Sequence, residues 1–172
     1  MSIQSEFIDF SAAKLEQLMA HIESSAGKLT ADQIWTRGSD NQNAVGNLLL
    51  HLNGNVTQWI LAGMGGAPDH RIRDLEFAAR EGVGPAELIA RLRATVESAV
   101  GVIRGLSADD LLVPRRIQDY EGSTLAAVYH VVEHFAGHAF QIFFLTKLLT
   151  GADLGFYAHL SGGPRPASEP IP

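Results

Sequence analysis

Three histidines stand four residues apart in the segment HVVEHFAGHAFQI, residues 130–142: His130, His134 and His138. On a helix, a spacing of four places side chains one above another on the same side. Imidazole is the commonest metal-binding side chain. Two such residues on one helix supply two ligands, and a third must come from elsewhere. The segment therefore predicts a metal site completed by another part of the chain.

His51, within NLLLHLNGNVTQW, is the candidate for the third ligand. Its leucine neighbours predict burial, and it belongs to a different helix. We interpret His51, His134 and His138 as the ligands of one divalent ion. Three neutral imidazoles leave a position open for water or substrate, which is typical of a catalytic site. The alternative is that each is an ordinary hydrogen-bonded histidine of the core or surface.

Other uses of the same residues are less consistent with the sequence. His130 lies roughly 80° around the helix from His138, and is interpreted as a supporting or structural residue. HVVEH spells the H-x-x-E-H motif of inverted zincin peptidases, which also needs a downstream carboxylate ligand. Only Asp153 and Glu169 follow, both in or near the tail. Di-iron sites need Glu-x-x-His pairs, and the chain has none, so a mononuclear site is predicted.

Four further polar residues lie close to these histidines in the sequence. Asn55 is one helical turn from His51 and is a candidate to face the open side of the ion. Gln58 and Gln141 are interpreted either as helix–helix hydrogen-bonding residues or as supports for the ligands. Glu133 is interpreted as a solvated surface acid, with orientation of a histidine as the alternative.

Helical periodicity predicts the elements that must position these residues. The segment 64–84 is rich in Gly, Pro and charge and reads as a long connection, and no segment shows strand alternation. We predict an all-α fold, a four-helix bundle over residues 1–157, followed by a flexible Pro- and Gly-rich tail over 158–172. The predicted helices are 3–26, 44–63 with Asn43 as N-cap, 85–104 beginning at Pro85, and 124–149 capped by Ser123 or Thr124.

A weak internal repeat pairs the second and fourth of these helices. LTADQIW (29–35) resembles LSADDLL (106–112), and each precedes a polar loop and a helix. In those helices HLNGNVTQW (51–59) aligns with HFAGHAFQI (134–142), so that His51 matches His134 and Gly54 matches Gly137. The repeat indicates two helical hairpins of common pattern and favours His51 as the counterpart of the pair on the last helix.

Composition limits the remaining classes of function. The 172 residues carry a net charge of −6, which disfavours nucleic acid and anionic membranes as partners. There are no cysteines, which excludes disulfides, Cys-ligated zinc and a cysteine nucleophile. The N-terminus, MSIQSEFIDF, shows no secretory pattern and no apolar run reaches membrane length, so a cytoplasmic protein is expected.

The segments NLLLHLNGNVTQWI and VVEHFAGHAFQIFFLTKLLTG, preceded by LTADQIW and LSADDLL, resemble the DinB-like superfamily over roughly residues 5–157. The resemblance implies an up-down-down-up helix order, often in a homodimer, and a three-histidine site for a divalent ion such as zinc or nickel. On this chain the three positions fall on His51, His134 and His138. Relatives include metal-dependent transferases that use low-molecular-weight thiols.

The implied function is a metal-dependent enzyme acting on a small molecule, with an S-transferase that uses such a thiol as the leading case. A thiol would have to come from a cofactor, because the chain has no cysteine. Two alternatives stay open from the sequence: a metal-dependent hydrolase, and a non-catalytic dimeric metal-binding or stress-response module.

Overall fold

The computed structural model describes residues 2–158 and residue 162, and within them the chain is mostly helical. Five α-helices and one two-stranded sheet follow in chain order: α1 (Ile3–Ala26), α2 (Val45–Val56), α3 (Arg73–Ala78), α4 (Pro85–Arg104), β1 (Pro114–Ile117), β2 (Tyr120–Ser123) and α5 (Thr124–Thr150). In this part of the chain no helix has the length and apolarity that a membrane crossing requires. The predicted tail, apart from residues 158 and 162, lies outside the described residues, and the domain boundary stays a prediction.

The ends of three long helices agree with local sequence signals. Helix α1 ends at Ala26 before Gly27, and α4 begins at Pro85, where proline at the first position costs no intrahelical hydrogen bond. Helix α5 is capped by Ser123, whose Oγ accepts a hydrogen bond of 3.1 Å from the N–H of Ala126. It ends at Thr150 and is followed by Gly151, which has a φ of 67° that favours glycine.

The predicted N-cap of α2 was wrong by one residue. The cap is Ala44, whose N–H donates to Oδ1 of Asn47 at 3.0 Å. Asn47 is fully buried, and its side-chain amide also bonds to a second segment of the chain. Its Nδ2 donates to the carbonyl oxygens of Glu76 at 2.8 Å and Ala79 at 2.9 Å. One side chain on α2 therefore fixes α3, in a segment for which the sequence had indicated only a connection.

Helix α2 continues without a break into a π-helix, Thr57–Ala62. The N–H of Gly63 donates to the carbonyl of Gln58, and that of Gly65 to the carbonyl of Ile60. π-Helical segments are rare and occur frequently at functional sites. Here the π-helix carries Gln58 and Trp59 toward the sheet.

The hairpin β1–β2 was not predicted. Its strands pair antiparallel from Pro114 opposite Ser123 to Ile117 opposite Tyr120. The two-residue turn consists of Gln118 and Asp119, with φ values of 52° and 64°. A type I′ turn needs positive φ at both positions, and neither residue is the glycine that normally marks such a turn in a sequence. The strands are also mostly polar, so no apolar alternation reveals them.

The long helices enclose one apolar core. Helix α1 packs against α4 and α5, and α2 packs against the same two helices. Among the side chains with almost no exposed surface are Leu15, Leu52, Leu92 and Phe135, one from each long helix. This packing brings the middle of α2 against the middle of α5.

The two copies of the internal repeat adopt the same local structure. Thr30 and Gln33 exchange backbone-to-side-chain hydrogen bonds, as do Ser107 and Asp110. Each pair precedes a 3₁₀ turn, Gln33–Trp35 in the first copy and Asp110–Leu112 in the second. Reciprocal capping explains why the two short motifs share residue types at the same spacing.

Candidate metal centre

Helices α2 and α5 bring together the three predicted histidines. One nitrogen from each of His51, His134 and His138 lies within 4.8 Å of the others. The Nε2 atoms of His51 and His134 are 3.1 Å apart. His51 is buried, with 4% of its surface exposed, and the other two are half-buried. Among the described residues, no other group of three metal-binding side chains is this close.

The ring of His51 is held from behind by a buried ion pair. Its Nδ1 lies 2.9 Å from Oε2 of Glu76, which only accepts, and 3.1 Å from Nη2 of Arg71, which only donates. In the tautomer in which Nδ1 donates to Glu76, Nε2 keeps the lone pair that a metal ion needs. Arg71 donates from Nε to Oε1 of Glu76 at 2.7 Å and from Nη2 to Oε2 at 2.9 Å. Only 4% of the Arg71 side chain and 10% of the Glu76 side chain are exposed. A carboxylate behind a metal-binding histidine fixes the tautomer and orientation of the ring.

Gly54 provides the space for this ion pair. A Cβ atom at this position would clash with Oε1 of Glu76 and stand 2.8 Å from Nε of Arg71. Its counterpart in the repeat, Gly137, has no atom within 4 Å of the same point. The glycine of α2 is therefore required by a close approach, whereas the glycine of α5 is not.

The other two histidines differ in how their Nδ1 atoms are engaged. Nδ1 of His138 is 3.0 Å from Oε1 of Gln141, an oxygen that accepts the ring proton and leaves Nε2 unprotonated. Nδ1 of His134 is buried and has no hydrogen-bond partner among the described residues. Gln141 therefore contacts a candidate ligand, which was one of the two roles that the sequence allowed for it.

Burial lowers the pKa of two of the three clustered imidazoles, His134 and His138. The pKa of His134 is lowered to about 3, mainly by desolvation and further by the other histidines and Arg71. The pKa of His138 is lowered, mainly by burial, against the opposing effect of the hydrogen bond to Gln141. Burial by itself would raise the pKa of Glu76, but hydrogen bonds and charges from Arg71 and His51 outweigh it, so the pKa is lowered. Neutral rings beside an ionised carboxylate are the protonation states that metal binding requires.

The donor set fits a divalent ion of the first transition row. Two nitrogens at zinc-ligand distances of ~2.0–2.1 Å in tetrahedral geometry lie about 3.3 Å from each other, close to the 3.1 Å between the Nε2 atoms of His51 and His134. When Nδ1 of His51 donates to Glu76 and Nδ1 of His138 donates to Gln141, both Nε2 atoms keep the lone pair that binds a metal ion. The three histidines can hold a metal ion.

A cavity of about 450 Å³ opens beside His51 and His134. Its walls come from α2, the π-helix, the hairpin and the first turn of α5, and include Asn55, Trp59, Arg115 and His130. This is the size of a small-molecule site. Asn55 is 4% exposed, and its Oδ1 has no partner among the described residues. Its predicted place at the open side of the ion stays a prediction.

His130 lies on the cavity wall and outside the group of three. Its ring packs against Trp59, with centroids 4.3 Å apart, and its pKa is lowered mainly by burial. Glu133 is exposed, so the carboxylate of the H-x-x-E-H motif points away from the cluster. Gln58 accepts from Arg71 at 3.0 Å and donates to Asp69 at 2.6 Å, which places it behind the ion pair rather than at the histidines.

Sequence reasoning missed Arg71, Glu76 and the hairpin residues that line the cavity. Arg71 and Glu76 lie in the segment interpreted as a connection, and no spacing motif relates them to a histidine. The hairpin has neither apolar alternation nor a glycine turn. Gly54 was the one available signal, since a glycine inside a helix often marks a close approach by another group.

The fold and the site together define a class of protein: a mostly helical protein in which three imidazoles from two long helices can hold a metal ion. The chain belongs to the DUF1572 family, described as a protein of unknown function, which matches residues 2–161. No curated protein matches the chain. The crystal structure of a conserved protein from Enterococcus faecalis is similar, with a TM-score of 0.70 at 14% identity over 88% of this chain and 99% of that one. This similarity shows the fold alone.

Proposed function

We propose that this chain is a mononuclear divalent-metal-dependent enzyme in which His51, His134 and His138 hold the ion. The observation that carries the proposal is the approach of three imidazoles to within 4.8 Å beside a cavity of about 450 Å³. The all-nitrogen donor set suits zinc or nickel. A closed structural site has four protein ligands, whereas this cluster has three and borders a cavity, which favours catalysis over a purely structural role.

We also propose the DinB-like arrangement, an up-down-down-up four-helix bundle. Supporting it, α1 packs against α4 and α5, as α2 does, so each long helix has two neighbours. The long connection over residues 63–84 and the hairpin before α5 supply crossovers between the helices. The histidines then face inward from two neighbouring helices, as in other metal sites of helical bundles.

The reaction we propose is attack by the sulfur of a low-molecular-weight thiol on an electrophilic carbon of a substrate. The C–S bond forms as the bond from that carbon to a leaving group breaks, and the leaving group takes the electron pair. A divalent ion, when bound, would lower the pKa of a thiol or water at its open position. The thiol is a co-substrate, because the chain contains no cysteine. Within the protein, Glu76 and Gln141 orient two of the imidazoles, while Trp59 and Ile117 keep water from part of the cavity. Neutral His130 on the cavity wall is available to accept a proton.

An exposed apolar stripe supports assembly into a homodimer. On α5, Tyr129, Phe140, Phe144 and Leu148 are each more than half exposed. Their spacing places them along the outer side of the helix, away from the core face that carries Phe135 and Ile142. An isologous dimer through α5 would remove this stripe from water.

The first test is the metal content of tag-free protein purified without chelator, measured by mass spectrometry. We expect about one equivalent of zinc or nickel in the parent and in the exposed-residue control His70→Ala, and a loss of at least tenfold in His51→Ala, His134→Ala and His138→Ala. Metal-loaded protein is then assayed for conjugation of thiols to an electrophile such as 1-chloro-2,4-dinitrobenzene. A parent that takes up neither zinc nor nickel on reloading would contradict the proposal.

A further inference from the structure

The cavity beside the cluster is positively charged although the whole chain is acidic. The chain carries a net charge of −6. The cavity walls nevertheless include Arg71, Arg73 and Arg115, against Glu121 as the acidic wall residue. Arg71 is neutralised by its ion pair with Glu76. The charge that remains comes from the other two arginines and Glu121, a net excess of one positive charge.

Arg115 is positioned by neutral groups. Its Nε donates to Oγ1 of Thr124 at 3.0 Å, and its Nη1 lies 3.5 Å from the carbonyl oxygen of Gly63. Among the described residues, it forms no ion pair with a carboxylate. Its charge acts at longer range on Asp110, whose pKa is lowered first by hydrogen bonds from Ser107 and only lastly by Arg115. A guanidinium fixed in this way retains N–H groups for a ligand, in the planar geometry that matches a carboxylate.

Arg73 supplies a second cation at the same cavity. Its guanidinium lies over the ring of Phe77, 4.7 Å from the ring centroid, and it too has no ion pair within the described part of the chain. The first turn of α5 adds a smaller effect, because Ser123 and Ala126 line the cavity where the helix dipole is positive.

The remaining walls define the rest of the ligand. Trp59 and Ile117, both 7% exposed, and the ring of Tyr120 form an apolar side. On the other side, the buried Oδ1 of Asn55 is an acceptor with no donor among the described residues. Buried acceptors normally have a partner, so this atom is matched to an N–H or O–H group of a bound molecule.

We propose that the cavity binds a small carboxylate with an apolar or aromatic body, its anionic group held by Arg115 and Arg73. The body lies against Trp59, and a hydrogen-bond donor of the ligand meets Asn55. A net excess of one positive charge favours a monoanion over a dianionic phosphate ester. Because the same cavity borders His51 and His134, this inference names the substrate class of the proposed enzyme and depends on that proposal for its catalytic meaning. The binding itself can be measured without metal.

The test compares matched ligands by isothermal titration calorimetry on the full chain, first metal-free and then with zinc. 3-Phenylpropionate is the carboxylate, 3-phenylpropionamide its neutral counterpart and phenyl phosphate the dianion. We expect the carboxylate to bind at least tenfold more tightly than either of the others. Arg115→Gln and Arg73→Gln should each weaken carboxylate binding by about tenfold or more, since each removes a charged hydrogen-bonding group.

Arg116→Gln is the matched control. Arg116 is the next residue on β1, its side chain is 69% exposed and it does not line the cavity. We expect this variant to bind the carboxylate as the parent does. Arg73→Gln guards against a folding artefact, because Arg73 is exposed and makes no ion pair with a described residue, whereas Arg115 supports the hairpin.

Equal binding of the acid and the amide would overturn the inference, as would tighter binding of phenyl phosphate or equal losses in Arg116→Gln and Arg115→Gln. Failure here is distinguishable from failure of the proposed function. If the protein binds metal but not the carboxylate, the metal centre stands and the proposed substrate class is wrong. A protein that binds the carboxylate but no metal retains the cavity assignment and loses the enzyme.

Discussion

The Nε2 atoms of His51 and His134 lie 3.1 Å apart although 83 residues separate them in the chain. Rotation of either ring would be costly. Glu76 holds the opposite side of His51, and helix packing half-buries His134. Two imidazole nitrogens that face each other at this distance need a shared proton or a shared cation.

Glu76→Gln should weaken zinc binding by about 10–100-fold, the usual cost of losing a carboxylate behind a metal-binding histidine. The substitution keeps the shape of the side chain and removes the charge that stabilises the protonated Nδ1 of His51. Zinc affinity is measured by competition with a chromophoric chelator. Glu133→Gln is the control, because Glu133 precedes His134 directly but is exposed, and it should bind zinc as the parent does. Equal zinc affinities in the parent, Glu76→Gln and Glu133→Gln would show that Glu76 does not support the metal site.

Gly54→Ala and Gly137→Ala should change stability in opposite directions. The new Cβ at position 54 would meet the buried Glu76–Arg71 pair, so we expect a loss of about 1–3 kcal/mol in the free energy of unfolding, together with weaker metal binding. At position 137 the methyl group meets no atom within 4 Å, and alanine in a helix should add about 0.5–1 kcal/mol. Urea denaturation of both variants checks the pair. A loss at both positions would mean that the glycines are not distinguished by Glu76.

Asn47→Ala should destabilise the protein by about 2 kcal/mol or more. It removes the side-chain donor to the carbonyl of Glu76 and the acceptor for the N–H of Ala44 and for Arg37, whereas the carbonyl of Ala79 still accepts from Arg37. Asn43→Ala should stay within about 0.5 kcal/mol of the parent, because Asn43 is exposed and is not the cap of α2. A loss near 1 kcal/mol in Asn43→Ala is the usual effect of removing an N-cap. It would show that Asn43 caps α2, as the sequence predicted.

The metal-free protein should lose stability as the pH falls below about 6.5. The pKa of His134 is lowered from 6.5 to about 3, so between these values the unfolded chain binds a proton that the folded chain excludes. Stability from this residue is complete above pH 6.5 and decreases steadily toward pH 3. Urea unfolding with chelator from pH 8 to pH 5 measures the slope, which should be shallower in His134→Gln. Identical slopes in the parent and in His134→Gln would show that protonation of His134 does not cause the loss of stability.

Phe144→Glu should shift a dimeric protein to monomer, as measured by light scattering after size-exclusion chromatography. Phe144 is 64% exposed in the middle of the α5 stripe, and a charge there would be buried without a partner in a dimer. Leu75→Glu is the matched control, since Leu75 is 62% exposed on α3, away from the stripe. A parent that is already monomeric at working concentrations would exclude assembly through α5.

The local sequence determined the long helices and the candidate ligands. The bounds of α1, α4 and α5 follow from apolar periodicity, Pro85, Ser123 and the closing glycines, all of which act within a few residues. The spacing of His134 and His138 likewise fixes their common face, because a helix turns about 100° per residue. Their meeting with His51 was expected from the repeat, and the fold brings the three together.

Tertiary structure decided what surrounds those ligands. Glu76 reaches His51 across 25 residues and Gln118 reaches Trp59 across 59, through segments that show no helical or strand period. The positive cavity exists only because the hairpin carrying Arg115 folds against the start of α5. Secondary-structure signals are interactions between near neighbours, whereas an ion pair, a cavity and a charge field depend on which distant surfaces pack together. That packing is set by burial of the whole core, and no single segment of the sequence encodes it.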